Sequence, residues 1–248
     1  MKKTPCLFLF VLGCFSIFGE SRHLSKSVLF LGNSYTAQSA HFIKEVFKRE
    51  NVGYELVFLN PGGVDLSRHL ASEKTRSLVA SRRWKFVILQ GQSQKSGLGG
   101  KFTEDFHSSL SGLCKLARTK GAEPCLFMTW GRRDGDKRNL QTYPDFQTMN
   151  QKISRQYKIA GDANDALVAP VGEAFANLHI HEKAIFKSLY RGDGSHPAPP
   201  AGYLCACIFF GKLTGESPLS ISWNANLSPE IAATLRKVAA KVLMTQRE

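Results

Sequence analysis

Short apolar runs alternate with longer amphipathic runs along most of the chain. The short runs are rich in β-branched and aromatic side chains and show almost no polar alternation. Strands buried on both faces of a parallel sheet have this character, whereas the longer runs have the spacing of helices that bury one face. The pattern predicts strands over 27–31, 55–59, 86–90, 125–129 and 166–171, and helices over 37–50, 103–120, 144–160, 200–213 and 229–243.

Strands that alternate with helices in this way predict an α/β fold. We expect a three-layer α/β/α sandwich around a five-stranded parallel sheet, flavodoxin-like in type, formed by one domain over 24–248. The last helix has the clearest start, since Ser228 suits the N-cap and Pro229 the first helical position. No repeat or long linker indicates a second domain.

The first residues have the layout of a signal peptide. Lys2 and Lys3 precede an apolar run over 5–18, and polar residues follow it. The run is shorter than the roughly 20 residues that span a bilayer, and no later segment is continuously apolar for that length. We therefore expect an exported protein, periplasmic or extracellular, with no integral membrane span.

Two processing sites compete in this segment. Residues 17–19 read Ile-Phe-Gly and suit an ordinary cleavage after Gly19, which makes 1–19 the signal peptide. Residues 11–14 read Val-Leu-Gly-Cys and resemble a lipobox, which would leave a lipid anchor on Cys14. The apolar residues after Cys14 favour the ordinary site, because a lipoprotein usually continues with a polar tether.

Composition and charge exclude some classes of protein and raise others. With 248 residues and 43% hydrophobic residues, the chain is neither a disordered tail nor a disulfide-stabilised miniprotein. Its 33 Lys and Arg against 20 Asp and Glu give a formal charge of +13, which suits an anionic partner. Nucleic acid is not expected, because the chain has no nucleic-acid-binding motif and the signal peptide directs it to export.

Four cysteines lie beyond the signal segment, each among apolar neighbours. This context favours buried free thiols, with a Cys114–Cys125 disulfide as the alternative; the other two are Cys205 and Cys207. No set of residues has the spacing of a metal site, and the pair His179 and His181 lacks further ligands, so no metal or cofactor is predicted.

The candidate chemistry lies where the predicted strands end. In an open parallel sheet, sites form beyond the carboxyl ends of the strands. Ser34 stands at the turn after the first strand, where its hydroxyl points out of the sheet edge. His196 is the candidate base, and Asp193 is close enough in sequence to orient its ring.

A matching oxyanion hole is predicted from three donors. These are the backbone N–H of Ser34, the backbone N–H of Gly63 and the side-chain amide of Gln92. Ser93 and Gln94 remain alternatives to Gln92.

Three further side chains are candidates for contact with substrate. Asn33 flanks the serine but also suits a helix cap, and His69 also suits a surface or capping position. Trp130 ends the fourth strand, where it either stacks on a sugar or packs in the core. The basic loop 132–138 follows it and is a candidate for recognition of an anionic substrate, although solvated surface is the default interpretation.

Together these segments resemble the SGNH (GDSL-type) hydrolase family over roughly 27–213. Residues 28–36 resemble its first block, Gly63 its second-block glycine, and residues 193–197, Asp-Gly-Ser-His-Pro, its last block. Two positions depart from the pattern. Asn33 replaces the usual acidic residue before the serine, and Gln-Gly-Gln-Ser-Gln over 90–94 stands where the third block normally reads Gly-x-Asn-Asp.

The resemblance implies a fold of SGNH type and ester hydrolysis through an acyl-enzyme. Ser34 would be the nucleophile, His196 the base and Asp193 its orienting partner, with no cofactor. The expected substrate is an acyl ester, in the first place an acetyl ester, of a carbohydrate or other small molecule. The alternative is a catalytically weak or inactive relative that binds an anionic glycan or surface polymer, which the basic charge and the altered third block would suit.

Overall fold

The computed structural model describes Met1 and residues 26–245. The predicted signal peptide, its cleavage site and Cys14 lie outside these residues. Within them, one parallel sheet has the strand order β2-β1-β3-β4-β5. The strands are β1 (Ser27–Leu31), β2 (Glu55–Leu59), β3 (Phe86–Leu89), β4 (Glu123–Phe127) and β5 (Leu167–Ala169).

Helices cover both faces of this sheet. They are α1 (Ser34–Arg49), α2 (Leu66–Ala71), α3 (Glu73–Ala80), α4 (Gly100–Arg118), α5 (Phe146–Ala163), α6 (Val171–His181), α7 (Lys183–Ser188), α8 (Pro199–Thr214) and α9 (Pro229–Met244), with short 3₁₀ helices at Lys95–Gly97 and Pro218–Ser220.

Alternate side chains of the central strands bury into two separate cores. In β1, Val28 and Phe30 pack with α1, α8 and α9, whereas Leu29 and Leu31 pack with α4 and α5 on the other face. All four are at most 1% exposed. The expected three-layer sandwich with a five-stranded parallel sheet is therefore confirmed.

The boundaries differ from the sequence-based prediction where the hydrophobic signal is short. β4 begins at Glu123, two residues earlier than predicted, and β5 has only three residues. The helices α2, α3, α6 and α7 were not predicted. Two of them, α2 and α7, have six residues each, too few to display a helical period.

Within residues 26–245, the structure bears on two predictions, the absence of a membrane-spanning segment and the state of the cysteines. None of the helices there has the length and apolar character needed to cross a bilayer. Cys114, Cys125, Cys205 and Cys207 are all buried free thiols, so the thiol interpretation is confirmed and the Cys114–Cys125 disulfide is wrong.

The sheet order places one crevice at the carboxyl edge. The chain passes from β1 to β2 on one side and returns to β3 on the other, so the connections diverge between β1 and β3. Such a switch point is where open α/β sheets bind ligands. Ser34 follows β1 there, and Gln90 follows β3.

Candidate active site

The turn after β1 holds Ser34 at the first position of α1. Asn33 is the N-cap, and its Oδ1 accepts a hydrogen bond from the N–H of Tyr35 at 3.1 Å. The first N–H groups of a helix have no partner within it and lie at the positive end of its dipole. The hydroxyl of Ser34 and its own N–H thus lie at a place suited to an attacked carbonyl and its developing negative charge.

A second turn, between α7 and α8, brings an acid and a base together within four residues. The Oδ1 atom of Asp193 accepts hydrogen bonds from the N–H groups of Ser195 and His196, each at 2.9 Å. Its Oδ2 atom lies 2.5 Å from Nδ1 of His196. A carboxylate cannot donate a hydrogen bond, so Nδ1 carries the hydrogen and donates the hydrogen bond to Asp193.

The two turns meet through one hydrogen bond. Nε2 of His196 lies 3.0 Å from Oγ of Ser34, although the residues are 162 positions apart. With Nδ1 protonated, Nε2 accepts the hydrogen bond from the Ser34 hydroxyl. The structure therefore brings together the three side chains expected to form a triad, in the order that lets a base withdraw the serine proton.

The environment of Asp193 keeps its carboxylate ionised. Partial burial acts to raise its pKa, but the hydrogen bonds from the His196 ring and from two backbone N–H groups outweigh it and lower the pKa to about 2. The carboxylate is therefore charged at neutral pH and fixes the tautomer of His196.

Behind the histidine lies a stack of aromatic rings that includes Trp130. Its ring is parallel to those of Tyr35 and Phe175, at centroid distances of 4.7 and 4.5 Å. Its Nε1 donates to the carbonyl of Ser195 at 3.2 Å, and the side chain is 0% exposed. The predicted sugar contact is therefore wrong for Trp130, which packs in the core and supports the turn beside His196.

Tyr35 joins this stack to the site. Its hydroxyl lies 2.6 Å from Oγ of Ser195, and its ring meets the His196 ring edge-on at 5.3 Å. Burial raises the pKa of Tyr35, while the hydroxyls of Ser195 and Ser93 act in the opposite direction. The sequence did not indicate this packing, because it depends on residues from three distant segments.

Asn33 and His69 do not offer free polar groups to a substrate. Nδ2 of Asn33 donates to the carbonyl of Val64 at 3.0 Å, its Oδ1 caps α1, and the residue is 4% exposed. His69 is 2% exposed. The helix-cap interpretation of Asn33 is confirmed, and its predicted substrate contact does not fit this placement.

His69 instead ties α2 to the end of β1. Its Nε2 lies 2.9 Å from the carbonyl of Gly32, and its Nδ1 lies 3.2 Å from Oγ1 of Thr75. Burial lowers the pKa of His69, although the Gly32 carbonyl acts against this, so the ring is neutral and donates from Nε2. The side chain is buried, which corrects the surface interpretation, and both of its ring nitrogens have partners within the protein, which does not fit the predicted substrate contact.

Gln90 is a structural contributor that sequence reasoning missed. Its Oε1 accepts from the N–H of Asn33 and from the hydroxyl of Thr36, both at 2.9 Å, and it is fully buried. A Cβ on Gly32 would lie 2.8 Å from this oxygen, so a glycine is required there. The available signal was a single polar residue at the end of an otherwise apolar strand.

The loop after β2 lies beside the nucleophile turn. Val64 accepts the hydrogen bond from Asn33, which holds the neighbouring Gly63 near that turn. Gly63 has a φ of +68°, and a Cβ there would meet nothing within 4 Å. The backbone conformation, and not close approach, therefore explains the glycine.

Gln92 has one amide hydrogen engaged and a second left to donate. Its Oε1 accepts from the N–H groups of Gln94 and Lys95, and its Nε2 donates to Oε1 of Gln94 at 2.9 Å. The second hydrogen on Nε2 remains available, so the role of Gln92 as an oxyanion donor stays a prediction. Ser93, one of the alternatives, is buried on the side of Tyr35.

A buried carboxylate holds the third-block segment against the basic loop. Asp136 is 0% exposed and accepts from Nη1 of Arg132 at 2.8 Å, from Nδ2 of Asn139 at 2.6 Å and from the N–H of Arg138. Nε2 of Gln94 donates to the same carboxylate. Although the loop was expected to be surface, the Asp136 carboxylate is buried.

The crevice, the parallel sheet and the paired turns define a protein with the SGNH-hydrolase fold, and the resemblance expected from the sequence is confirmed. No protein-family model matches the chain, and no curated protein matches it. Solved structures do.

Three solved structures illustrate the similarity. A DUF4886 family protein from Bacteroides uniformis superposes with a TM-score of 0.75 at 19% identity, over 90% of this chain and 96% of that one. A candidate SGNH hydrolase from Slackia heliotrinireducens gives 0.64 at 25% identity, over 76% and 99%. The acetyl xylan esterase AlAXEase gives 0.59 at 15% identity, over 75% and 98%.

Proposed function

We propose that this protein is a serine ester hydrolase that removes an acyl group, acetyl by preference, from a carbohydrate or other small ester. The observation that carries the proposal is the continuous chain of hydrogen bonds from Asp193 through His196 to Ser34. Both of its distances lie within hydrogen-bonding range. The fold shared with hydrolases, and with an acetyl xylan esterase among them, supports the proposal.

In the proposed reaction, Oγ of Ser34 attacks the ester carbonyl while Nε2 of His196 takes its proton. A tetrahedral oxyanion forms and collapses, the alcohol leaves with the proton from His196, and the acyl group stays on Ser34. Water, deprotonated by the same nitrogen, then attacks the acyl-enzyme and releases the carboxylic acid. Asp193 holds the imidazole in position and stabilises its charged form.

The oxyanion is proposed to be held by the backbone N–H groups of Ser34 and Gly63. Ser34 is at a helix N-terminus and the Gly63 loop is tied beside it through Val64. For the third donor we propose Gln92, because Oε1 of Gln94 engages only one of the two hydrogens on its Nε2, whereas the buried hydroxyl of Ser93 bonds Tyr35.

The test combines turnover with covalent labelling of the purified protein. We expect hydrolysis of p-nitrophenyl acetate and labelling by a fluorophosphonate, with mass mapping to Ser34. Ser34→Ala should lower kcat by about 10⁴-fold or more and abolish the label. The matched control is Ser77→Ala, an exposed serine on α3.

Absence of labelling and of turnover in the folded wild-type protein would overturn the proposal. It would then favour the non-catalytic glycan-binding alternative, which an altered third block would suit.

Export is a separate proposal, supported by the N-terminal sequence alone. We propose that the signal peptide 1–19 is removed, with lipidation of Cys14 as the competing outcome. N-terminal sequencing and intact-mass measurement of the mature protein separate cleavage after Gly19 from a lipidated Cys14. An unprocessed Met1 in the cell envelope fraction would contradict both.

A further inference from the structure

A basic cleft adjoins the turn that carries Asp193 and His196. It has a volume of about 650 Å³ and lies between α7 and the loop after β4. The backbone N–H of Arg133 donates to the carbonyl of Gly194 at 2.8 Å, which joins one wall of the cleft to the triad turn. The residues that line it are Arg133, Asp134, His179, Lys183, Phe186 and Lys187.

The charges around this cleft do not cancel. Asp134 is the single carboxylate among the lining residues, and Arg133 binds it with two nitrogens at 2.8 and 3.0 Å. Lys183 and Lys187 are exposed and form no ion pair within residues 26–245. The cleft therefore carries two uncompensated ammonium groups.

These two ammonium groups are arranged in a row. Lys183 and Lys187 are four residues apart on α7, so their Cα atoms are separated by about 6 Å along the helix axis. Ammonium groups on flexible stems bind carboxylates and sulfates as point charges. Two of them one helical turn apart suit a chain that carries repeated negative charges.

The floor of the cleft fixes α7 relative to the catalytic turn. Phe186 is 5% exposed and contacts the rings of Phe146, His179 and Tyr190, at centroid distances of 4.6, 4.8 and 5.4 Å. The Tyr190 hydroxyl donates to the carbonyl of Gly131 at 2.7 Å. The lysines are thus presented from a packed base that also supports residues just before Asp193.

We infer that this cleft binds the anionic groups of an acidic polysaccharide whose ester is positioned at Ser34. The inference rests on the proposed function and names its substrate class as acyl esters of carboxylate-bearing polysaccharides. Single-stranded nucleic acid is disfavoured because the Phe186 ring is buried and offers no exposed face on which a base would stack.

The test compares two acetylated polymers and two double variants. Acetylated polygalacturonate is the acidic substrate and acetylated xylan the neutral one. Lys183→Gln/Lys187→Gln removes the charges of the cleft. Lys237→Gln/Lys241→Gln on α9 is the matched control, because those lysines are also exposed, also four residues apart, and lie on another helix.

The readout is the ratio of kcat/KM for the acidic polymer to that for the neutral one. In 20 mM salt we expect the cleft variant to lower this ratio about fivefold and the control variant to leave it within twofold of wild type. The wild-type preference should also shrink at 500 mM salt, where exposed charges are screened. Equal falls in both variants, or no fall in either, would overturn the inference.

Binding separates this inference from the proposed function. Ser34→Ala is titrated with unacetylated polygalacturonate by calorimetry, so the result needs no turnover. Salt-sensitive binding that the cleft variant weakens about fivefold supports the inference, even if the esterase assays fail. Equally tight binding of a single-stranded DNA of matched charge would show a general polyanion surface and overturn it.

Discussion

The two sides of Ser34, the proposed nucleophile, are built in different ways. On one side, Asp193 and His196 belong to a single turn, and both oxygens of the carboxylate are engaged within four residues. On the other side, the proposed donors for an oxyanion follow the ends of three strands, and buried residues such as Gln90 and Asp136 hold these segments in place. The acid-base side is local, and the oxyanion side is assembled over long range.

Single substitutions should therefore affect mainly catalysis on the local side and mainly the stability of the fold on the assembled side. A local turn concentrates a role in individual side chains that few others can replace. On the assembled side, the proposed binding of the oxyanion depends largely on backbone N–H groups. Side chains such as Gln90 and Asp136 contribute by holding the segments together.

The largest effect is expected from the local side. Asp193→Asn replaces the acceptor of the His196 proton with an amide that favours the wrong tautomer. We expect kcat for p-nitrophenyl acetate to fall by about 10³–10⁴-fold while the fold is retained, as measured by steady-state kinetics and circular dichroism. Asp162→Asn, an exposed acid at the end of α5, is the matched control. A loss under tenfold would mean that Asp193 does not orient the base.

On the assembled side, Ser93→Ala and Gln92→Ala distinguish the two candidate donors. We expect Gln92→Ala to lower kcat by about 10²-fold, in the range found for loss of one oxyanion donor, and Ser93→Ala by less than about fivefold. KM should change little in either, because the donor acts in the transition state. The reverse order would favour Ser93 in place of Gln92, the residue predicted from the sequence.

Asp136 should affect stability more than the chemical step. Asp136→Asn leaves the guanidinium of Arg132 without its charged partner and deprives at least one buried donor of an acceptor. We expect the free energy of unfolding to fall by about 2–3 kcal/mol in urea titrations. The exposed control Asp162→Asn should stay within about 0.5 kcal/mol of wild type. Unchanged stability would show that the loop does not depend on this carboxylate.

Acid sensitivity gives the smallest effect. Hydrogen bonds and the charge of Lys95 outweigh burial and lower the pKa of Asp65 to about 2, from a usual value of 3.8. The folded state therefore binds fewer protons than the unfolded state between about pH 4 and pH 2, so stability from this group is full above pH 4 and lost as pH falls through 2.

Thermal melts from pH 5 to pH 2.5 test this sign. Asp65→Asn should lower the free energy of unfolding at pH 5 by at most about 2 kcal/mol and flatten the decline below pH 4. A variant that loses stability in parallel with wild type over the whole range would contradict the assigned pKa.

The same contrast explains what could be predicted from the sequence. The start of α9 was predictable because Ser228 caps its own helix, accepting from the N–H of Ile231 at 3.3 Å. The turn of Asp193 and His196 was predictable for the same reason, since its hydrogen bonds are local. The fold followed from five short apolar runs that alternate with longer amphipathic runs along the chain.

What could not be predicted depends on contacts between distant segments. Trp130 has the same local sequence whether it faces a sugar or packs between Tyr35 and Phe175, and only the tertiary structure decides. His69 is buried because the end of β1 supplies the carbonyl of Gly32. The third block was ambiguous because three adjacent polar residues point in directions that the sequence does not encode.

The reactivity of the four buried thiols reports how often the helices separate from the sheet. Burial raises the pKa of Cys125, Cys205 and Cys207 to about 12 and that of Cys114 to about 11, so almost no thiolate exists at neutral pH. Disulfide exchange and alkylation need the thiolate and access to it. Their rates in the native protein therefore measure how often each side of the sheet separates from its helices. Cys114 lies in one core and the other three lie in the opposite core, so the two layers can be timed independently without introducing a probe.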